Sequence, residues 1–541
     1  MSNPSASVPA IHAPVRTWRT RSAGLVSIAV IILALGALGV GAWEIGVPGL
    51  YYDEVLFVDA ALGQHQGGFI TAKFFGLPVL LMPYIGALKA WIYAPIFALF
   101  GVNEWTIRLP ALLLALGGVA ATVEAARRLF GTPAALVAAG LMFFDPTLLM
   151  HSRLDWGPNA IMFLCRGLLL LGLAGWWQTK QPRWLWLAFG ALGAGIFDKL
   201  NFLWLAYGAL GALLVVAPGR LRELHQRHRR HAQALLALAA VVLVVATVRA
   251  VALSLRMAEG GSPATWGGRW LEALHLLRLT LLGGGPFDFI AGDGRQFGRF
   301  IWPAYAGLVA VALVGATRAA HRPSLRAWGM MAIFALGTTG MFIVTKSATG
   351  PHHAAVIAGL PALLLAPFIA ACIPAWTTLA ATLLSRTAVA GVALFAAGAM
   401  IDVNLRCIAG FHVPRNANWD PANSAVADFA AEHPKAHFVI ADWGMGNQLI
   451  ALTAGRVSLN DRWPKLIAVE SAHGVLSSLD PSRDTYFVWR SDGRENFPAA
   501  KAGLRAAANA QGHRFETIRV LDDVAGRPLI EIVRLQRARQ P

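Results

Sequence analysis

The sequence predicts an all-α polytopic membrane domain over residues 1–401, followed by a small extracytoplasmic α/β domain over residues 402–541. Three observations carry that reading. Of 541 residues, 56% are hydrophobic and only 14% are charged, which is too apolar for a soluble protein of this size. Apolar runs of about 17–25 residues, long enough for membrane helices, recur as far as residue 401. The net charge of +17 is also unevenly placed. From Asp402 onward acidic and basic residues nearly balance. The excess lies in short loops between apolar runs, where the positive-inside rule puts it. That placement argues for a membrane protein and against a nucleic-acid partner.

About eleven spans follow in order. The N-terminus is taken as cytoplasmic, because Arg16, Arg19 and Arg21 precede the first run. That run, about 24–43, is longer than a signal-peptide core and more spans follow, so it reads as a retained helix. A long external loop, about 44–107, comes next. Its apolar stretch Pro83–Phe100 contains Lys89 and reads as a helix lying in the interface or re-entering. Further spans fall at about 109–126, 133–150, 158–177, 184–197 and 201–217. The loop after them, Arg220 to Arg230, is the most basic. The next span, about 233–254, leads to a second long external loop, about 255–298. The last four spans fall at about 300–317, 328–345, 354–371 and 386–401. With these assignments the basic clusters outside the long loops and the tail fall inside. Before Asp402 only Glu124 and Glu223 are acidic on that side. Making Pro83–Phe100 a span would turn Arg127-Arg128 outward and break the charge rule.

In the tail, Ser424–Glu432 reads as a helix, and Ala436–Ala441, Tyr486–Arg490 and Pro528–Leu535 as short strands. Cys165, Cys372 and Cys407 form no disulfide framework and show no metal-binding spacing. Gly444-Met445-Gly446 does not make a dinucleotide fingerprint.

Several polar clusters emerge on one predicted face. Asp53-Glu54 follows the first span. One carboxylate can serve as a general base, with the other shaping its pKa or binding acceptor or a divalent ion. A solvated helix-end pair is the plainer explanation. In His151-Ser152-Arg153-Leu154-Asp155, Arg153 offers a planar fork for a phosphate oxygen, and Asp155 a partner for it or a contact to sugar. An anchoring Arg–Asp pair is the competing explanation. Asp198-Lys199 lies between two spans with almost no loop. An ionisable pair so close to the bilayer is a functional candidate, with Lys199 as a point charge for phosphate, against a self-neutralised surface pair. Lys346 to His353 adds Lys346, His352 and His353 at the start of a helix, a setting that favours an anion over a metal held by adjacent histidines. Asp288 and Asp293 sit in the second long loop, where they contact a substrate or stand idle.

These features together resemble the polytopic GT-C glycosyltransferases, in particular the protein O-mannosyltransferase and lipid A aminoarabinose transferase group. The resemblance rests on Tyr52-Asp53-Glu54, on Phe97 through Pro110, on Ala126-Arg127-Arg128-Leu129-Phe130-Gly131, on Ser152-Arg153, on Lys199, and on His352-His353 before Leu360-Pro361. Their order spans about residues 40–370. Lys73-Phe74-Phe75-Gly76-Leu77-Pro78 and His352-His353 depart from the usual aromatic, Pro-rich and Arg/Lys-Tyr segments. The resemblance implies an enzyme that moves a sugar from a polyprenyl-phosphate carrier to a protein, lipid or glycan on the extracytoplasmic face of the plasma membrane. It implies Asp53 as the catalytic carboxylate, with Arg153, Lys199 and the His352 region near the donor phosphate. No cofactor is read with certainty from the sequence, a divalent ion at Asp53 and Glu54 is left open, and the lipid-linked sugar is a substrate. A lipid carrier or flippase is the rival; it predicts charges at mid-membrane and inverted repeats, and no repeat is visible. A membrane anchor for the tail leaves the clustered charges unexplained.

Overall fold

The structure is a computed structural model. It describes residues 15–64, 70–259, 266–317, 324–345, 350–372, 379–461 and 463–536. Helix α1 (Val15–Ala42) leads to a loop that carries the short α2 (Val58–Ala61). An antiparallel sheet β1 (Ala72–Phe74), β2 (Leu77–Met82), β3 (Ile85–Gly86) follows, and then α3 (Leu88–Phe100). At 13 residues α3 is about 20 Å long, too short to cross roughly 30 Å of hydrocarbon. It buries Lys89, Ala90, Tyr93 and Phe97 and leaves Trp91, Leu99 and Phe100 exposed.

The bundle proper begins with α4 (Glu104–Phe130). Asn103 and Thr106 close its first turn with a reciprocal capping box. Next come α5 (Thr132–Met142), α6 (Pro146–Leu154), α7 (Asn159–Thr179), α8 (Pro182–Asp198) and α9 (Leu203–Val216), then α10 (Pro218–Arg227) and α11 (Arg229–Glu259). The series continues with α12 (Trp266–Leu282), α13 (Gly285–Ile290), α14 (Gly298–Thr317) and α15 (Leu325–Thr345), then α16 (Pro351–Ala354), α17 (Leu360–Ala371) and α18 (Leu379–Phe411). Among the described residues seven helices are long and apolar enough to cross a membrane, or nine when two bent pairs count as one span each. Helix α1 and the 17-residue α8 occupy the other two expected positions. Along α11, Val241, Val244, Val245, Val248 and Val251 are all exposed. A continuous apolar stripe of this kind belongs against lipid, and the chain is a multi-pass membrane protein.

Two expected spans are broken rather than continuous. The segment 133–150 bends by 56° between α5 and α6, where Asp145 caps the second half by accepting from Leu148 N at 3.0 Å. The segment 354–371 opens into a 3₁₀ turn, Ala355–Ile357, before α17. Arg166, buried on α7, donates to the freed carbonyls of Val356 (2.8 Å) and Ala358 (2.7 Å). Irregular backbone inside a bundle survives only with such internal partners. The region read as a second long loop, 255–298, contains α12, which buries Ala273, Leu276, Leu279 and Leu282 against the bundle.

The tail packs α19 (Ala422–Glu432), α20 (Gly446–Leu452), α21 (Trp463–Leu466), α22 (Val469–Ser477) and α23 (Pro498–Ala510) around a five-stranded sheet. Its strands are β4 (His437–Ile440), β5 (Ser458–Asp461), β6 (Thr485–Arg490), β7 (Arg514–Asp522) and β8 (Pro528–Gln536), in the order β5-β4-β6-β8-β7. The first three are parallel and the last two antiparallel to their neighbours. β5 and β7 escape the sequence reading because both are edge strands. Neither needs a continuous apolar face, and β7 is mostly exposed.

Candidate active site

The loop after α1 is held by two buried arginines. Arg108, on α4, donates from Nη1 to the carbonyls of Ile45 (2.7 Å) and Pro48 (2.9 Å), and grips both Glu54 carboxylate oxygens through Nε and Nη2. Arg153, on α6, donates to the carbonyls of Gly41, Trp43, Glu44 and Val47. Both side chains are fully buried. Buried guanidinium groups are tolerated because backbone carbonyls and a carboxylate use their fixed fork of donors.

This arrangement corrects three expectations. Arg153 spends its fork on the loop and is a positioning residue, not an open phosphate site. Glu54 is locked by Arg108 and by Tyr51 N (3.1 Å), so it is neither a free base nor half of an ion site with Asp53. Asp155 does not pair with Arg153. Its Oδ2 meets Lys89, and its Oδ1 accepts from Ala160 N at 3.0 Å, starting α7. Among the described residues no group of three or more His, Cys, Asp or Glu is placed to hold a metal.

Asp53 is different. Glu54 N donates to Tyr51 O (3.0 Å), so residues 51–54 form a turn, and Asp53 lies at its apex, half-buried. Burial raises the Asp53 carboxyl to about 6, against the opposing pull of Lys199 and the Trp156 indole. The like-charge effect expected from Glu54 is not the cause, because Arg108 neutralises that charge. Lys199 stands just past the end of α8 and donates to Gly157 O at 2.7 Å. Burial lowers its ammonium to about 8, with Asp198, Asp53 and Asp155 opposing the shift.

The structure also brings His352 to this place. Its ring lies 4.5 Å from Trp156 and 4.0 Å from His353, centroid to centroid. Gly157 has φ +69°, and a Cβ there would come within 2.9 Å of Lys199 Nζ and 3.1 Å of His352 Nε2. Only glycine allows both groups to converge at that point. Among the described residues, Nδ1 of His352, Nδ1 of His353 and Nε2 of His151 are buried without a hydrogen-bond partner. The expected helix N-terminus is not what gathers them. α16 has four residues and the chain breaks again before α17. Lys346 lies outside the described residues. Asp288 and Asp293 bond locally, to Gly294 N and to Arg295.

Two surfaces complete the site. An apolar groove runs between the β2–β3 hairpin and helices α8 and α11, lined by Leu80, Pro83, Phe197 and Val245, with Tyr84 and Arg249 as its polar members. The groove reaches the last turn of α8 at Ile196 and Phe197, next to Asp198, which lines a small cavity together with Asp53. On the other side the tail closes over the turn. Asp461, at the carboxyl end of β5, accepts from Tyr52 OH at 3.1 Å. Asn447 donates to Tyr52 O and Gln448 to Leu50 O, both at 3.2 Å. Trp419 stacks on Tyr51 at 4.4 Å, and Trp443 lies 5.1 Å from Tyr52. Gly49 permits this docking, since a Cβ there would sit 2.9 Å from the Asp420 backbone.

Sequence reasoning assigned no site role to Lys89, Arg108, Trp156, Trp443 or Asp461. A lone cation inside an apolar run was available as a signal for Lys89 and Arg108. Nothing local marks the other three.

Comparison with known proteins agrees with this architecture. Residues 86–248 match the family model described as dolichyl-phosphate-mannose-protein mannosyltransferase. ArnT from Cupriavidus metallidurans in the apo state is 17% identical, with a TM-score of 0.56 over 95% of this chain and 98% of that one. The same protein bound to undecaprenyl phosphate gives a TM-score of 0.52 at 17% identity, over 96% and 98% of the two chains. AglB from Archaeoglobus fulgidus, in complex with an inhibitory peptide and a dolichol-phosphate, gives 0.53 at 13% identity, over 97% of this chain and 75% of that one. No curated protein matches in sequence. The chain has the GT-C fold of the membrane glycosyltransferases. Over nearly its whole length it shares the fold of ArnT, and over residues 86–248 it matches the protein-mannosyltransferase family model.

Proposed function

We propose that this chain transfers a glycosyl group from a polyprenyl-phosphate-linked sugar to a hydroxyl or amine of a protein, lipid or glycan acceptor. The observation that carries the proposal is the place of Asp53. It is a half-buried carboxylate, within the field of Lys199 and near an apolar groove of the kind a prenyl chain fills. The relatives bound to undecaprenyl phosphate and dolichol-phosphate support the lipid class. In the proposed step Asp53 takes the acceptor proton, the acceptor heteroatom bonds to the anomeric carbon, and the anomeric C–O bond breaks. Its electron pair leaves with the polyprenyl phosphate. Lys199 and the imidazole N–H groups of His352 and His353 stabilise that anion, in a setting where water screens little. No step needs a metal.

Orientation belongs to the same proposal. Arg127, Arg128, Lys180, Glu223 and Arg227 gather at the end of the bundle away from Arg108 and Asp155. Basic residues mark the cytoplasmic side. Asp53 and the tail therefore face the extracytoplasmic side of the plasma membrane.

The test is sugar release from a panel of radiolabelled polyprenyl-phosphate sugars by the purified full chain in nanodiscs. Turnover of one donor is expected. Binding of donors with no turnover of any, in the presence of candidate acceptors, would favour a lipid carrier instead.

The pH profile is a second expected result. Asp53 must be deprotonated to accept a proton, so kcat/KM falls about tenfold per unit below pH 6. Lys199 must keep its proton to hold the phosphate, so kcat/KM falls again above about pH 8. Bound donor phosphate favours the ammonium, and the alkaline limb of kcat shifts upward relative to that of kcat/KM. A profile flat between pH 5 and 9 at constant ionic strength would remove both assignments.

A further inference from the structure

Asp198 closes α8 and is 1% exposed, yet neither carboxylate oxygen has a hydrogen-bond partner among the described residues. The nearby cations are committed elsewhere. Lys89 pairs with Asp155 and donates to Glu54 O at 3.4 Å, while Lys199 donates to Gly157 O at 2.7 Å. Buried carboxylates are normally satisfied on both oxygens, and one left bare inside a folded core is a rare exception that calls for a cause. The neighbourhood suggests one. Asp198 and Asp53 line the same small cavity, together with Leu56, Phe57, Lys89 and Pro158. The apolar groove near Tyr84 also touches the last turns of α8, at Ile196 and Phe197.

We infer that Asp198 is a sugar-recognition residue, whose carboxylate accepts hydrogen bonds from a hydroxyl or ammonium substituent on the ring of the donor sugar. This rests on the glycosyl-transfer reading above and adds the group that selects the sugar. Asp53 works at the anomeric carbon, and Asp198 is a second carboxylate lining the same small cavity. The two carboxylates divide the work. Asp53 is half-buried and handles a proton. Asp198 is fully enclosed and can bond only to something that enters the cavity. Phe57 and Leu56 exclude water around it, so a donor lacking the substituent leaves the carboxylate bare in the complex as well. A site built this way rejects the analogue that lacks the group far more strongly than an apolar pocket rejects a missing methylene.

The experiment uses the full chain in nanodiscs and the donor that the wild type turns over, beside its ring-deoxy and amino analogues on the same polyprenyl phosphate. Asp198→Asn keeps the shape and Asp198→Ala removes the group; thermal unfolding of both is followed. The readout is the ratio of kcat/KM for the full donor to that for each analogue, measured within one variant, so a partial loss of folded protein cancels. For at least one deoxy position the wild-type ratio is expected to exceed about 10², and to fall at least tenfold in both variants, mainly through KM. A loss in Asp198→Asn confined to the amino donor identifies the substituent as an ammonium, because only the charge is missing there. An equal loss for a hydroxylated donor identifies a hydroxyl. Ratios unchanged from wild type at every ring position would overturn the assignment while leaving the transferase reading intact. A wild type that turns over no donor would overturn both.

Discussion

Asp53→Asn abolishes sugar transfer, lowering kcat/KM by about 10²–10⁴-fold, while the protein stays folded and still binds donor. The reasoning starts from the turn at residues 51–54. Its backbone is held by Arg108, Arg153 and the Glu54 N to Tyr51 O bond, none of which involves the Asp53 side chain. The amide keeps the volume and loses only the ability to take a proton. Stability should not fall. A carboxyl raised to about 6 in the folded state sits above its ordinary value of 3.8. Such a group favours folding at low pH, and the ionised form costs stability as pH rises through 6. Removing the charge therefore leaves the unfolding temperature at neutral pH unchanged or higher. Donor binding by isothermal calorimetry, unfolding in detergent and single-turnover transfer would be measured side by side. A variant that transfers sugar at near wild-type rate would eliminate Asp53 as the base.

Glu54→Gln gives the opposite pattern, although the residue is the immediate neighbour. Glu54 is fully buried and grips Arg108 through both oxygens. Breaking such a pair leaves an uncompensated buried guanidinium, at a cost of about 3–5 kcal/mol. Activity falls because the turn loosens. A clear drop in unfolding temperature is expected, with donor binding and transfer lost together. Removing both charges, as in Glu54→Leu with Arg108→Met, should not rescue the fold. Arg108 also holds the carbonyls of Ile45 and Pro48, which would then be left bare. A thermally unaltered Glu54→Gln that has lost transfer would return Glu54 to the chemistry.

These two residues show where reading a sequence stops. Asp53-Glu54 stands out as an acidic pair after an apolar run, and its importance is legible from that alone. Its division of labour is not. Adjacent side chains in a turn point in different directions, and only the position of Arg108, 54 residues along the chain, decides which carboxylate is neutralised. Arg153 illustrates the same limit. Its residue type suits phosphate, but carbonyl groups from residues 41–47 reach it first.

Hydrophobic periodicity and the placement of basic residues were enough to determine the membrane domain, most of its spans and the α/β nature of the tail. Those properties depend on local composition and on the energy of moving groups into hydrocarbon. The breaks within two spans, the docking of the tail onto Tyr51 and Tyr52, and the convergence of Lys199, His352 and Trp156 around Gly157 were decided by the tertiary structure alone. Each depends on which buried donor finds which acceptor across distant segments, and a satisfied pair leaves no periodic trace in the chain.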